Sequence, residues 1–375
     1  MKRWLLGIGL VAGLAVMGVR AAEPQPAAAQ PAPVAVKALP MEIKPLDAKV
    51  FYTGRFDLRD AKGPKFQWSH SMVTLRFRGT DLQVKLADSK ENFYQVIVDG
   101  KDAGVLTTTK GDNVLDLARG LKDDEHQVSL VRRTEAFVGT SQFLGFYLNA
   151  GGSLLEPVRP AHKIEVIGDS ISCGYGNESK NEKEHYAPKT ENAYMTYGAL
   201  AARTVNAEYV CIAWSGKKMS PDNTLPELYD LTLPQDKSSS WDFSKWTPDV
   251  VLINLATNDF GKVTPDPEKW PADYVAFVQR VRKNYPNAMI YLASGTMMYG
   301  AKLATLKEYM DRIQKELTSK GDTKIRVIHF GTQNQQRDGL GGDWHPNLKT
   351  HGLMAKKFAD ALQADLGWAP ATAAP

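Results

Sequence analysis

Ile164-Glu165-Val166-Ile167-Gly168-Asp169-Ser170 decides the reading of this chain: an apolar run closes on glycine and then presents a carboxylate and a hydroxyl. A short continuous apolar run suits a strand buried on both faces. Further runs follow at Tyr209 to Ala213, Val250 to Leu255, Met289 to Ala293 and Ile325 to Phe330. Between them lie segments with helical spacing, Ala193 to Val205, Pro271 to Asn284 and Leu303 to Leu317, and Leu353 to Leu366 closes the series. Strands alternating with helices predict an α/β unit, a parallel sheet covered on both faces, whose ligands sit outside the carboxyl ends of the strands.

Upstream the period changes to two. Val73, Leu75 and Phe77 alternate with Thr74, Arg76 and Arg78, and Leu82, Val84 and Leu86 alternate with Gln83 and Lys85. Asp99-Gly100 after Tyr94, Val96 and Val98 signals a hairpin, and Gln127 to Val131 and Gln142 to Leu148 continue the strands. An antiparallel β-sandwich is expected over residues 41–157, ahead of the α/β unit over 160–368 and a short tail, 369–375. Residues 23–40, rich in Pro and Ala, form a spacer. In residues 1–22, Lys2 and Arg3 precede the apolar run Trp4 to Val19, and small residues end it, the pattern of a signal peptide. That run is shorter than the ~20 residues a membrane span needs.

The chain has 375 residues, 43% hydrophobic and 23% charged, which excludes a disordered or disulfide-stapled class. Loss of the leader removes Lys2, Arg3 and Arg20 and takes the formal charge from +4 to +1. A nearly neutral, exported protein, periplasmic or extracellular, has no electrostatic reason to bind nucleic acid or acidic lipid. Cys173 and Cys211 are the only cysteines. None stands at the cleavage site, so a lipid anchor there is excluded; the pair reads as packed free thiols, with a disulfide as the alternative.

Such a fold places its chemistry at the strand ends. Ser170, at a strand-to-helix junction, is a candidate nucleophile, with helix capping as the plainer role. Gly216, in Trp214-Ser215-Gly216, can offer a backbone N–H, and Asn258 a side-chain amide, to an oxyanion; turn and loop chemistry are the alternatives. Gly341-Gly342-Asp343-Trp344-His345 supplies a histidine suited to take the serine proton, with Asp343 nearby. Trp214, Trp344 and Tyr175 flank these residues and can stack on sugar rings or simply pack. No histidine pair has zinc-ligand spacing with a supporting cysteine or acid, so no metal and no cofactor are expected.

Gly168-Asp169-Ser170, Gly216, Asn258-Asp259 and His345 fall in the order of the four sequence blocks of the SGNH, or GDSL-type, hydrolases. The stretch Ile164 to Glu178, with Glu191-Asn192-Ala193-Tyr194 after it, resembles carbohydrate esterase family 2, whose members also carry an N-terminal β-sandwich. The resemblance implies a flavodoxin-like sheet behind a jelly-roll sandwich. It implies a carbohydrate O-acetyl esterase acting on acetylated polysaccharide or oligosaccharide, such as xylan or glucomannan, through a serine acyl-enzyme. Ser170 would be nucleophile, His345 base, Asp343 its orienting acid, and the Ser170 and Gly216 N–H groups with the Asn258 amide the oxyanion hole. The sequence departs from the blocks twice: Ala256 stands where glycine is usual, and Gly342 occupies the acid's usual place three residues before the histidine. If Asp343 does not serve, a backbone carbonyl would hold the imidazole in a dyad. Rival readings are an esterase for another acyl ester, such as peptidoglycan acetyl groups or a lipid, and an inactive carbohydrate-binding protein. For a triad, activity is expected to rise with pH near ~6.5 or somewhat above.

Overall fold

The period-two segment becomes two antiparallel sheets. The structure is a computed structural model and describes residues 38–371; the expected leader, nearly all of the spacer and the last four residues lie outside the described residues. The strands of the first half are β1 (Met41–Ile43), β2 (Val50–Thr53), β3 (Lys65–Phe66), β4 (Met72–Gly79), β5 (Leu82–Asp88), β6 (Asn92–Val98), β7 (Lys101–Thr108), β8 (Gly111–Ala118), β9 (Asp124–Arg132), β10 (Ser141–Leu148) and β11 (Ser153–Leu155). One sheet has the order β1-β10-β5-β8 with β3 beside β10; the other runs β11-β4-β9-β6-β7 with β2 beside β4. Val73, Leu75 and Phe77 of β4 meet Val84 and Leu86 of β5 and Phe143 and Phe146 of β10 in one core. Asp99 and Gly100 both take positive φ, 51° and 75°, the conformation that a two-residue hairpin loop demands.

The second half contains β12 (His162–Gly168), β13 (Ala207–Ala213), β14 (Val250–Asn254), β15 (Met289–Ser294) and β16 (Ile325–His329). Its helices are α1 (Ser170–Cys173), α2 (Tyr197–Thr204), α3 (Lys269–Asn284), α4 (Gly300–Ser319), α5 (Gln335–Asp338) and α6 (Leu348–Leu366). Val251 and Ile253 of β14 enter a core with α3 and α4, whereas Val250 and Leu252 enter another with α2 and α6. Both faces are dry, which is why the runs carry no polar alternation. The sheet order β13-β12-β14-β15-β16 places the first strand between the second and third. That is the flavodoxin-like order, and the chain reverses its winding at β12 and β14, where a crevice opens at the carboxyl ends. Ser170 follows β12, Gly216 follows β13 and Asn258 follows β14.

A fully buried charge interrupts the first of these strands. Glu165 of β12 is fully buried and accepts from Tyr229 Oη at 2.7 Å, Tyr285 Oη at 3.3 Å and Arg55 Nη2 at 3.4 Å. Arg55, 1% exposed, comes from the sandwich just after β2 and also donates to the carbonyl oxygens of Tyr229 and Leu231. Removing one partner of such a pair leaves an uncompensated buried charge. Glu165→Ala should therefore cost about 3–5 kcal/mol, read as a lowered urea midpoint with tertiary and secondary probes both followed; a cost below about 1 kcal/mol would show that the pair is not what joins the two halves.

Candidate active site

The nucleophile candidate stands at the first residue of α1. Asp169 caps this helix, its Oδ1 accepting from the Ile171 N–H at 3.0 Å. Capping therefore falls to the aspartate, and the serine hydroxyl is left for another partner. Ser170 Oγ lies 2.9 Å from His345 Nε2 across 175 residues of sequence.

His345 follows a 3-10 turn at Gly342–Trp344, and Asn347 caps α6 just beyond it, accepting from the Thr350 N–H at 3.1 Å. Its Nδ1 faces the carbonyl oxygens of Gly342 at 3.1 Å and Asp343 at 3.0 Å. Carbonyl oxygens only accept, so Nδ1 must carry the hydrogen, and Nε2 presents its lone pair to the serine hydroxyl. Burial pushes the imidazole below its usual 6.5, against the carbonyl contacts and the Asp343 charge, which favour the cation. The expected onset of activity near or above that value is corrected downward.

The orienting acid is corrected as well. Asp343 Oδ2 accepts from Tyr175 Oη at 2.7 Å and from the Tyr186 N–H at 3.2 Å, while Oδ1 pairs with His185 Nδ1 at 2.8 Å. Its contact with His345 is through the backbone carbonyl, not the carboxylate. The left-handed backbone of Asp343, φ 47° and ψ 43°, turns the side chain toward the 175–186 loop while its carbonyl meets the imidazole. The place three residues before the histidine is closed to any side chain: a Cβ on Gly342 would lie 2.7 Å from Ser179 Oγ and 2.9 Å from the Glu184 carbonyl oxygen. Asp343 reaches His345 indirectly, because the Tyr175 ring that it holds stacks on the imidazole at 4.2 Å between centroids.

The backbone N–H groups of Ser170 and Gly216 have no hydrogen-bond partner among the described residues. Gly216 is exposed and takes φ 77°, a conformation that other residues adopt only with strain. Asn258 gives one amide hydrogen to the Lys217 carbonyl at 2.9 Å, which fixes the side chain against the loop after β13. Ala256 is buried and its methyl group packs in the core that includes Phe260. Trp214 is half-buried with Lys217 Nζ 5.6 Å from its ring, and Trp344 is 55% exposed.

Sequence reasoning missed several supporting residues. Asp259, quoted only as part of a block, accepts from the Met219 and Ser220 N–H groups and from Trp270 Nε1 at 2.8 Å, so it ties the loop after β13 to the end of β14. Glu135 comes from the sandwich and bonds Ser215; no signal at that distance in sequence points to it. Cys173 and Cys211 are buried free thiols. The assembled groups make a serine hydroxyl with an imidazole base of fixed tautomer, beside unoccupied N–H donors, which is the equipment of acyl transfer.

Two family models match the chain: Carbohydrate esterase 2 N-terminal over residues 52–157 and GDSL-like Lipase/Acylhydrolase family over residues 166–353. The chain is 39% identical over 325 residues to cellulase/esterase CelE of Acetivibrio thermocellus, covering 85% of this chain but only 40% of that relative. It is 26% identical to an acetylxylan esterase / glucomannan deacetylase of Cellvibrio japonicus, over 86% of this chain and 90% of that one. Among solved structures, a family two carbohydrate esterase from Clostridium thermocellum in complex with cellohexaose superposes with a TM-score of 0.82 at 39% identity, over 85% of this chain and 99% of that one. A carbohydrate esterase family 2 enzyme from Corynascus gives 0.74 at 29% identity, over 85% and 100%.

These contacts set the expected pattern of variants. His345→Ala should lose ~10⁴-fold in kcat, whereas Asp343→Asn should stay within ~10-fold of the parent, because the carbonyls and not the carboxylate hold the imidazole. The base must be neutral to act, so a lowered imidazole pKa keeps activity on acidification until the pH falls below 6.5. Asp343→Asn should move that limb slightly lower still, since its charge favours the cation. Profiles of kcat/KM against pH for both proteins check this; a ~10²-fold loss in Asp343→Asn would return the carboxylate to the mechanism.

Proposed function

The chain belongs to carbohydrate esterase family 2, and we propose that it removes acetyl groups from cell-wall polysaccharide, xylan or glucomannan, through an acyl-enzyme on Ser170. The observation that carries this reading is the Ser170 Oγ to His345 Nε2 contact of 2.9 Å with Nδ1 held by carbonyls. The names of the relatives support the acetyl group and the polysaccharide. In the forward step Oγ attacks the acetyl carbonyl carbon while its proton passes to Nε2. The carbonyl oxygen takes the negative charge and accepts from the Ser170 and Gly216 N–H groups and the free amide hydrogen of Asn258. Collapse of this intermediate expels the sugar oxygen, which takes the proton from Nε2 and leaves as the hydroxyl. Water then repeats the sequence on the acyl-enzyme, with His345 accepting its proton, and acetate leaves.

Export of the protein, to periplasm or medium, is part of the proposal, supported by the apolar run Trp4 to Val19 behind Lys2 and Arg3. Among the described residues no helix is long and apolar enough to cross a membrane. An acetylated polymer outside the cell is then within reach.

Rates of acetate release from acetylated xylan, acetylated glucomannan and O-acetylated peptidoglycan test the substrate class, and the plant polymers should lead by ~10-fold or more, each 1.4 kcal/mol of transition-state preference being tenfold. A preference for peptidoglycan, or nitrophenyl octanoate cleaved as fast as nitrophenyl acetate, would favour another esterase. Ser170→Ala should lower turnover at least ~10⁴-fold, and no turnover by the unaltered protein would leave carbohydrate binding as its role. Asn258→Ala should cost ~10²–10³-fold in kcat; a loss confined to KM would make it a binding residue.

A further inference from the structure

The loop that carries Gly216 is held from the other half of the molecule. Glu135, the fully buried residue after the short link that follows β9, accepts through Oε2 from the Ser215 N–H at 2.7 Å and through Oε1 from Ser215 Oγ. Beyond these, the tip is tied by the turn bond from the Lys217 N–H to the Trp214 carbonyl and by Asn223 Nδ2 on the Gly216 carbonyl. Gly216 itself is exposed, with nothing within 4 Å of where a Cβ would stand. The next peptide after Ser215 carries the Gly216 N–H, so fixing Ser215 at both its N–H and its hydroxyl fixes the direction of that donor.

Glu135 is not alone in its pocket. Glu191, also fully buried, accepts through Oε2 from the Glu135 N–H at 3.1 Å and from Tyr186 Oη at 2.8 Å, while its Oε1 has no partner. Carboxylate oxygens of the two glutamates and the Cys173 sulfur lie within 4.8 Å of one another. Arg133 Nε donates to the Glu191 backbone carbonyl, and the rest of its guanidinium is directed to Gln95, Glu178 and the Lys189 carbonyl, so no cation contacts the carboxylates. Two buried carboxylates without a cation cannot both ionise. Burial raises both groups, so the pair holds a proton between them. Glu191 Oε1 has no partner and is the oxygen open to a proton, whereas Glu135 turns both its oxygens to Ser215, with Cys173 Sγ also 3.8 Å from Oε2.

We propose that Glu135, supplied by the β-sandwich, is a positioning residue for the oxyanion hole, aiming the Gly216 N–H through its two bonds to Ser215, with Glu191 as its buried neighbour. The inference rests on the esterase reading of the site. Three variants and two measurements test it: kcat and KM on nitrophenyl acetate, and hydrogen exchange of the segment 214–219, which reads the loop without reference to turnover. Glu135→Ala should lower kcat ~10–10²-fold with KM within ~2-fold, because the lost contact is made only in the transition state, and should speed exchange in 214–219. Glu135→Gln can accept from the Ser215 N–H and donate to its hydroxyl, so it should recover kcat to within ~3-fold. Ser215→Ala, at a half-buried position with its N–H bond intact, should give a smaller drop of the same kind and keeps the test available if Glu135→Ala does not fold. Normal kcat in Glu135→Ala or Ser215→Ala, or a change in KM alone, overturns the proposal. So does failure of Glu135→Gln to restore kcat in a folded protein. If the unaltered protein cleaves no ester, the esterase reading fails by itself, and unchanged exchange in Glu135→Ala or Ser215→Ala still decides against positioning.

Discussion

A serine hydroxyl becomes a nucleophile when a base within hydrogen-bond reach takes its proton, and a neutral imidazole has one bare nitrogen to give. Here the choice is made by two backbone carbonyls on Nδ1. A carbonyl lacks the full charge of a carboxylate, so it fixes the tautomer while stabilising the imidazolium less than an acid does. Much of the surrounding chain keeps those carbonyls in place. The Gly342 N–H donates to the Gly176 carbonyl at 2.9 Å, the Asp343 N–H to the Glu184 carbonyl at 3.0 Å and the Gly341 N–H to the His345 carbonyl at 2.8 Å. Asp343 has exchanged one task for another, since its carboxylate knits the 175–186 loop and holds the ring that covers the imidazole.

The electrostatics around Ser170 is a second consequence. Asp169, Asp259, Glu135 and Glu191 are all buried, and the proposed reaction would develop negative charge beside Ser170. Four ionised carboxylates there would oppose the oxyanion. Burial, with the charges of Asp259 and Glu135, raises Asp169 to about 7, and its Oδ2 has no partner. Asp259 is raised by burial against its bonds to the Met219 and Ser220 N–H groups and Trp270. The acids thus organise the site largely through hydrogen bonds, and their desolvation limits the negative charge that the reaction would otherwise meet.

What the sequence revealed follows from range. The strands of the parallel sheet were legible because both faces are dry, and Val250 to Leu255 or Met289 to Ala293 cannot be mistaken for half-exposed strands. That Ser170, Gly216 and Asn258 stand just after strands was legible because such a fold exports chemistry to the strand ends, and the structure adds the contact of Ser170 with His345. Strand β7 was not, since residues 101–105 are exposed on a sheet edge and bury no alternating face. The role of Asp343 was misread because two residues of spacing do not say which way a side chain turns, and a left-handed φ sent it to Tyr175. Glu135 was invisible: its partner Ser215 lies 80 residues away, and nothing local distinguishes a buried glutamate after a strand from a solvated one.

That last failure points to how the two halves depend on each other. A sheet whose residues are all apolar needs no other domain to be satisfied, yet β12 carries Glu165 at its centre, and the cation facing it is Arg55 of the sandwich. Arg133, at the end of the same sandwich, supports the Glu191 backbone, and Glu135 two residues later holds the loop after β13. Each of these contacts gives a polar group of one half a partner from the other, so separating the halves would take the cation from buried Glu165 and the carboxylate from the Ser215 loop. The sandwich therefore takes part in the surroundings of the site: it meets the strand that runs into Ser170 at Glu165 and the loop that carries Gly216 at Ser215. A sandwich tethered only as a substrate-gripping module would have no need of a buried carboxylate against the hydrolase loop.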